Sequence, residues 1–186
     1  GVQSCSLRIC SYKSFTIGHA GDIPVMGDWN RDGKDETGIF RSGTWALDFN
    51  GNRIWDSGDK AFVIGQSGDI PVVGDWNDNG NDSVGIYRNG LWGLDYNDNY
   101  AWDGADKAFY LGTTGDIPVV GDWNASGSDK AGIFRNGLWG LDYNGNFAWD
   151  GADKAFNLGA TGDKPVIGNW NGNGNDSVGI IRNGLW

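Results

Sequence analysis

The sequence predicts an all-β fold, a four-bladed β-propeller with four antiparallel strands per blade, and three observations predict it. First, a decapeptide close to Gly-Asp-Ile-Pro-Val-Val-Gly-Asp-Trp-Asn begins at Gly21, Gly68, Gly115 and Gly162, always 47 residues apart. Residues 68–114 and 115–161 agree at 37 of 47 positions, and a repeat period of this size is the mark of solenoids, propellers and arrays. Second, all 11 Trp residues fall in phase with that period. Trp29, Trp76, Trp123 and Trp170 form one ladder, and Trp45, Trp92, Trp139 and Trp186 a second. Trp55, Trp102 and Trp149 form a third, whose missing member falls at Arg8. Third, no window carries a helical period, while short apolar runs alternate with Asn- and Gly-rich turns.

Each repeat reads as four short strands, the layout of a propeller blade. In the second copy the first strand covers residues 70–76, with Pro71 near its start, where a missing N–H is tolerated. A polar turn over 77–82 leads to a second strand over 84–88. Asn89-Gly90 then gives the strongest short hairpin signal, and residues 91–96 alternate large apolar with small or polar side chains. A longer loop precedes a fourth strand over 107–111. The Trp29 and Trp45 ladders, on or beside strands, are expected to pack between blades.

The ends of the chain suggest how the ring closes. Trp186 aligns with Trp139 at the start of a third strand, and Lys13 to Gly18 match the outer strand Lys60 to Gly65. Residues 1–20 are therefore expected to complete the last blade, which removes an exposed edge. The chain then forms one domain over 1–186 and a monomer, with a larger ring made of two chains as the competitor. Cys5 and Cys10 lie in this atypical first segment. They are read as a local disulfide of an oxidising compartment, against the alternative of two buried thiols.

Composition narrows the function. Of 186 residues, 33 are Gly, far above the average of roughly 7%; with so many Trp, this means tight turns between aromatic-packed strands rather than disorder. Lys plus Arg number 14 and Asp plus Glu 24, a net charge of −10. That charge speaks against nucleic acid, whose binding rests on clustered cations, and against an anionic membrane surface. No apolar run approaches the roughly 20 residues of a spanning helix. No leader is visible at Gly1.

The string Phe62-x-x-Gly65-x-x-Gly68-Asp69-Ile70-Pro71-Val72-Val73-Gly74-Asp75-Trp76-Asn77 resembles the FG-GAP or VCBS-type repeats of bacterial and archaeal surface proteins. These are similar to the blades of the integrin α-subunit propeller. The resemblance implies an extracellular binding or adhesion module with a Ca²⁺ loop between the first two strands of a blade. In the first copy Asp28, Asn30 and Asp32 match the ligand positions, Gly33 the turn and the carbonyl of Lys34 a further ligand. Glu36 stands at the ninth, closing position and Asp35 one residue early. Asp75, Asn77, Asn79 and Asp82 make a weaker second copy; the third and fourth retain fewer carboxylates, so affinity is expected to fall along the chain. The same residues also build a tight Asx-type turn without any ion.

A second loop repeats Asp48, Asn50, Asn52 and Asp56 as Asp95, Asn97, Asn99 and Asp103, and as Asp142, Asn144, Asn146 and Asp150. Trp55, Trp102 and Trp149 lie in it beside Asp56, Asp103 and Asp150. An exposed indole beside carboxylates and amides suits a sugar, with the ring under the pyranose and acceptors for its hydroxyls. The alternative to adhesion is thus a multivalent carbohydrate-binding propeller, and a third reading is a bare scaffold. Catalysis is not expected: His19 is the sole imidazole and has no repeat counterpart, and no nucleophile elbow or His-rich metal triad occurs. The expected partners are a glycan or a cell-surface protein.

Overall fold

The computed structural model describes residues 14–186. Cys5 and Cys10, with the disulfide expected between them, lie outside the described residues. Three four-stranded antiparallel sheets follow one another. The first holds β1 (Ile23–Gly27), β2 (Glu36–Arg41), β3 (Thr44–Leu47) and β4 (Lys60–Val63). The second holds β5 (Ile70–Gly74), β6 (Ser83–Arg88), β7 (Leu91–Leu94) and β8 (Lys107–Tyr110). The third holds β9 (Ile117–Gly121), β10 (Lys130–Arg135), β11 (Leu138–Leu141) and β12 (Lys154–Asn157). A two-stranded sheet of β13 (Lys164–Gly168) and β14 (Ser177–Ile181) ends the chain. Each four-stranded sheet is a meander in sequence order, as expected of a blade.

The hairpin chemistry follows the sequence closely. Asn89 and Gly90 both adopt positive φ, 51° and 94°, the geometry that matches the twist of paired strands. A Cβ on Gly90 would collide with the carbonyl of Gly112 at the end of the outer strand, so this position needs glycine for space as well as for φ. The Asp that opens each repeat is equally local in purpose. Asp116 accepts the backbone N–H of Thr113 at 2.8 Å and takes Arg135 Nε at 2.5 Å, and Asp22–Arg41, Asp69–Arg88 and Asp163–Arg182 repeat the pair.

The core lies between sheets. Trp45, Trp92 and Trp139 pair across the strands with Phe62, Phe109 and Phe156 and stack on them at 6.4, 6.1 and 6.3 Å. Their indole N–H groups donate to the carbonyls of Ile64, Leu111 and Leu158, which satisfies the one polar atom of each buried ring. Val25, Trp29, Phe40, Trp45 and Leu47 of the first sheet then cluster with Val84 and Ile86 of the second. The second sheet meets Ala131 and Ile133 of the third in the same way. The expectation that these two Trp ladders pack between sheets therefore holds for their first three members. It does not extend to the fourth among the described residues: Trp170 and Trp186 are 57% and 81% exposed, with no further described sheet on that face.

The strands β1, β5, β9 and β13 lie side by side in that order. Residues 14–17, expected in an outer strand, carry no strand pairing. Phe15 nevertheless lies 5.6 Å from the Arg53 guanidinium. One repeat on, Phe62 meets Tyr100 at 5.2 Å, and two repeats on, Phe109 meets Phe147 at 5.4 Å. Residue 15 thus takes the same seat against the first sheet that β4 takes against the second.

Candidate functional site

The turn between the first two strands of each sheet forms around one carboxylate. Asp28 Oδ1 accepts the Asp32 N–H at 3.0 Å and Oδ2 the Gly33 N–H at 2.8 Å. Asp75 holds Asn79 and Gly80, and Asp122 holds Ser126 and Gly127, in the same manner. Asn30, Asn77 and Asn124 donate to the carbonyls of Phe49, Tyr96 and Tyr143, tying this turn to the second loop. Around Asp28 the other predicted ligands point different ways. Asp32 Oδ2 takes the Lys34 ammonium at 2.9 Å, Asp35 is exposed, and Glu36 turns inward. Among the described residues no three His, Cys, Asp or Glu converge as a metal-holding group.

Asp82 serves the neighbouring repeat. Its Oδ2 accepts the Asp28 N–H at 2.9 Å while its own N–H donates to the Asp28 carbonyl at 3.0 Å. Asp129 and Asp176 clasp Asp75 and Asp122 identically. Sequence reasoning grouped Asp82 with its own loop; the recurrence of Asp35, Asp82, Asp129 and Asp176 at one phase was the available signal. Burial pushes the Asp129 carboxyl up to about 7; the Asp75 N–H pulls against that shift, and the charges of Asp82 and Asp176 add to it.

The residue that starts the second strand differs between repeats and decides the charge beneath the turn. In the third it is Lys130, buried, whose ammonium donates to Asp122 Oδ1 at 2.8 Å, Ser126 Oγ at 2.6 Å and the Ser128 carbonyl at 2.5 Å. Those acceptors occupy the first, fifth and seventh positions of the loop. In the second repeat it is Ser83, and the nearby Asp98 carboxylate takes the amides of Asn77 and Asn79. In the first it is Glu36, only 6% exposed, with Oε2 lacking any hydrogen-bond partner. Burial pushes the Glu36 carboxyl up, and the charges of Asp32, Asp28 and Asp48 add to this against a backbone bond from Trp29.

The second loop is a capped turn. Asp56 accepts the Gly58 N–H at 2.7 Å and the side-chain amides of Asn50 and Asn52, bonds that hold its carboxyl below the usual carboxylate range. Asp103 and Asp150 repeat this with Ala105 and Ala152. Trp55, Trp102 and Trp149 project from this loop half-exposed, at 52%, 49% and 51%. Trp102 borders a cleft of 240 Å³ between β4 and the second sheet, walled by Val63, Ile86, Leu91 and Arg88. Trp149 borders its counterpart of 220 Å³, walled by Tyr110, Ile133, Leu138 and Arg135. Gly93 and Gly140 lie under these indole rings, where a Cβ would make ordinary contact with Trp102 at 3.4 Å and with Trp149 at 3.6 Å; Ala46 stands there in the first repeat. His19 lies on an exposed turn, its N–H bonded to Asp22 at 2.7 Å.

No helix among the described residues is long and apolar enough to cross a membrane. No family model, no curated protein and no solved structure matches the chain.

Proposed function

We propose that the chain is a non-catalytic, extracellular or cell-surface binding propeller that takes sugar rings in the clefts bordered by Trp102 and Trp149. The observation that carries this reading is the pair of clefts itself, equivalent in residues and 47 positions apart. Each offers an indole, an apolar floor and one guanidinium at the wall, a combination suited to the apolar face of a pyranose with one directed polar contact. Repetition gives avidity from weak single sites. Four blades close into a monomeric ring in this reading, with residues 1–20 as the outer strand of the last blade; the seat of Phe15 against Arg53 supports it. A glycan array tests the function. Hits sharing one sugar are expected, and Trp102→Ala with Trp149→Ala should weaken them tenfold or more with the melting temperature nearly unchanged. A silent array removes the reading.

A second reading, a Ca²⁺-organised adhesion module similar to FG-GAP repeats, is favoured by the Lys130 ammonium. A cation already sits among the first, fifth and seventh positions of the third loop, and Asp28, Asp32 and the Lys34 carbonyl are their counterparts in the first. Millimolar Ca²⁺ raises the melting temperature by several degrees in this reading, and Asp32→Asn removes most of the rise. Identical curves in Ca²⁺ and EDTA reject it.

A further inference from the structure

We infer that the first repeat binds a divalent cation in the cavity between its two loops, with Glu36 and Asp48 as the anionic ligands. The cavity, of 500 Å³, is lined by Glu36, Thr37 and Asp48 together with Asp32, Lys34 and Arg53. Among the described residues, Glu36 Oε2, Thr37 Oγ1 and Asp48 Oδ1 are buried without a hydrogen-bond partner, and Glu36 and Asp48 are only 6% and 1% exposed. Three orphaned oxygens in one cavity are costly, and two of them belong to carboxylates, where the cost is greatest. The Glu36 side chain reaches toward the loop that Asp48 opens, for a Cβ on Gly51 would lie 3.2 Å from Oε1.

The neighbouring basic groups do not relieve the pair. Lys34 is bonded to Asp32, and Arg53 lies over the Phe15 ring. Among the described residues, orphaned carboxylate oxygens are particular to this repeat, whereas the counterpart of Glu36 in the second, Ser83, leaves only a neutral hydroxyl unpartnered. Asp95 and Asp142, the counterparts of Asp48, have both oxygens taken by backbone N–H groups, whereas Asp48 has only Oδ2 so used, by Arg53. In the third repeat the position of Glu36 is filled by a cation, the Lys130 ammonium, against Gly145 as Glu36 lies against Gly51. The first repeat replaces that internal cation with a carboxylate and leaves room for an ion from solution.

Two carboxylates balance a divalent charge, and the hydroxyl of Thr37 with retained waters supplies the further oxygens that Ca²⁺ takes at roughly 2.3–2.6 Å. The site stands apart from both readings above: it uses neither Trp cleft, and it does not require the Asp28, Asn30 and Asp32 set.

The test is titration calorimetry of the full chain with CaCl₂, alongside thermal melting in Ca²⁺ and in EDTA. Wild type is expected to bind one ion with a rise in melting temperature. Asp48→Asn and Glu36→Ser, the latter placing the residue of the second repeat, should each weaken binding at least tenfold, and Asp32→Asn should leave it within about threefold. Should Asp48→Asn fail to fold, Glu36→Ser carries the test alone, because serine is native at that position one repeat on. No binding by wild type overturns the inference. So does binding lost in Asp32→Asn but kept in Glu36→Ser and Asp48→Asn, which would return the ion to the Asp28 loop. A response to Na⁺ or butylammonium without one to Ca²⁺ overturns the divalent assignment.

Discussion

The first and third repeats share a backbone and differ in one charge beneath it. Both wrap the turn around an Asp at its first position, Asp28 or Asp122, and both set a glycine, Gly51 or Gly145, against the residue that opens the second strand. That residue is Glu36 in one and Lys130 in the other. Lys130 closes its loop internally through three hydrogen bonds, while Glu36 leaves an oxygen unpaired. A repeat framework thus fixes where a charge sits and leaves its sign to a single side chain. The residue before it diverges too: Asp35 is exposed, and Asp129 is partly buried against Asp75.

Removing the internal cation should break the comparison most severely. Lys130→Met strands the Asp122 carboxylate, which Lys130 helps to hold below its usual range despite its burial. Breaking a buried pair from one side costs about 3 kcal/mol or more, so chemical denaturation should show a loss of that size. A loss under 1 kcal/mol would mean that the ammonium contributes little.

The pH response should expose the buried Asp129. Because the folded value of Asp129 lies above the unfolded one, its contribution is greatest below roughly pH 4 and is lost as pH rises through about 7. Stability should therefore fall between pH 5 and pH 7 by something of the order of 2 kcal/mol. Asp95, pushed up to about 6 by burial with Asp106 and Asp98 adding to the shift against bonds from Tyr100 and Asn99, acts in the same direction. Asp22 and Asp163, held low by their Arg partners, act only at more acid pH. Asp129→Asn should flatten the melting-temperature profile over this window, and an unchanged profile would reject the role given to Asp129.

The smallest effect sharpens the comparison in reverse. Glu36→Lys gives the first loop the residue of the third, with Asp28 and Asp32 as acceptors. It should raise stability in EDTA by about 1 kcal/mol, in line with one or two charge-assisted bonds. Destabilisation would show that the two loops are not interchangeable.

Much of this architecture was legible in the sequence, because the 47-residue period marks every turn and Trp at once. The strands, the Asn-Gly hairpins, the in-phase Trp pairs and the half-exposed Trp102 and Trp149 all follow from residue type and phase. What escaped was direction. Nothing in the local sequence says that Asp82 reaches back 54 residues to Asp28, since a turn-forming Asp usually bonds within its own turn. Nor does a Lys at the start of a strand announce that its ammonium folds under the preceding loop. Over residues 14–17, part of the strand expected from Lys13 to Gly18, sequence phase alone is silent for a related reason: a strand exists only by pairing, and none of the described strands pairs with these residues.

The clasp between repeats has a mechanical consequence. Each of the first three turns is held by the Asp of the repeat that follows it, so Asp28 depends on Asp82, Asp75 on Asp129 and Asp122 on Asp176. Like overlapped tiles, the sheets secure one another in a single direction. Under a pulling force applied at Trp186, the last clasp would open first, freeing the turn at Asp122 before those at Asp75 and Asp28. Force applied at the opposite end would load the clasp of Asp82 on Asp28 first and free the turns in the reverse order. For an array whose cohesion is summed over neighbours, the order of disassembly would then be written in which end is pulled.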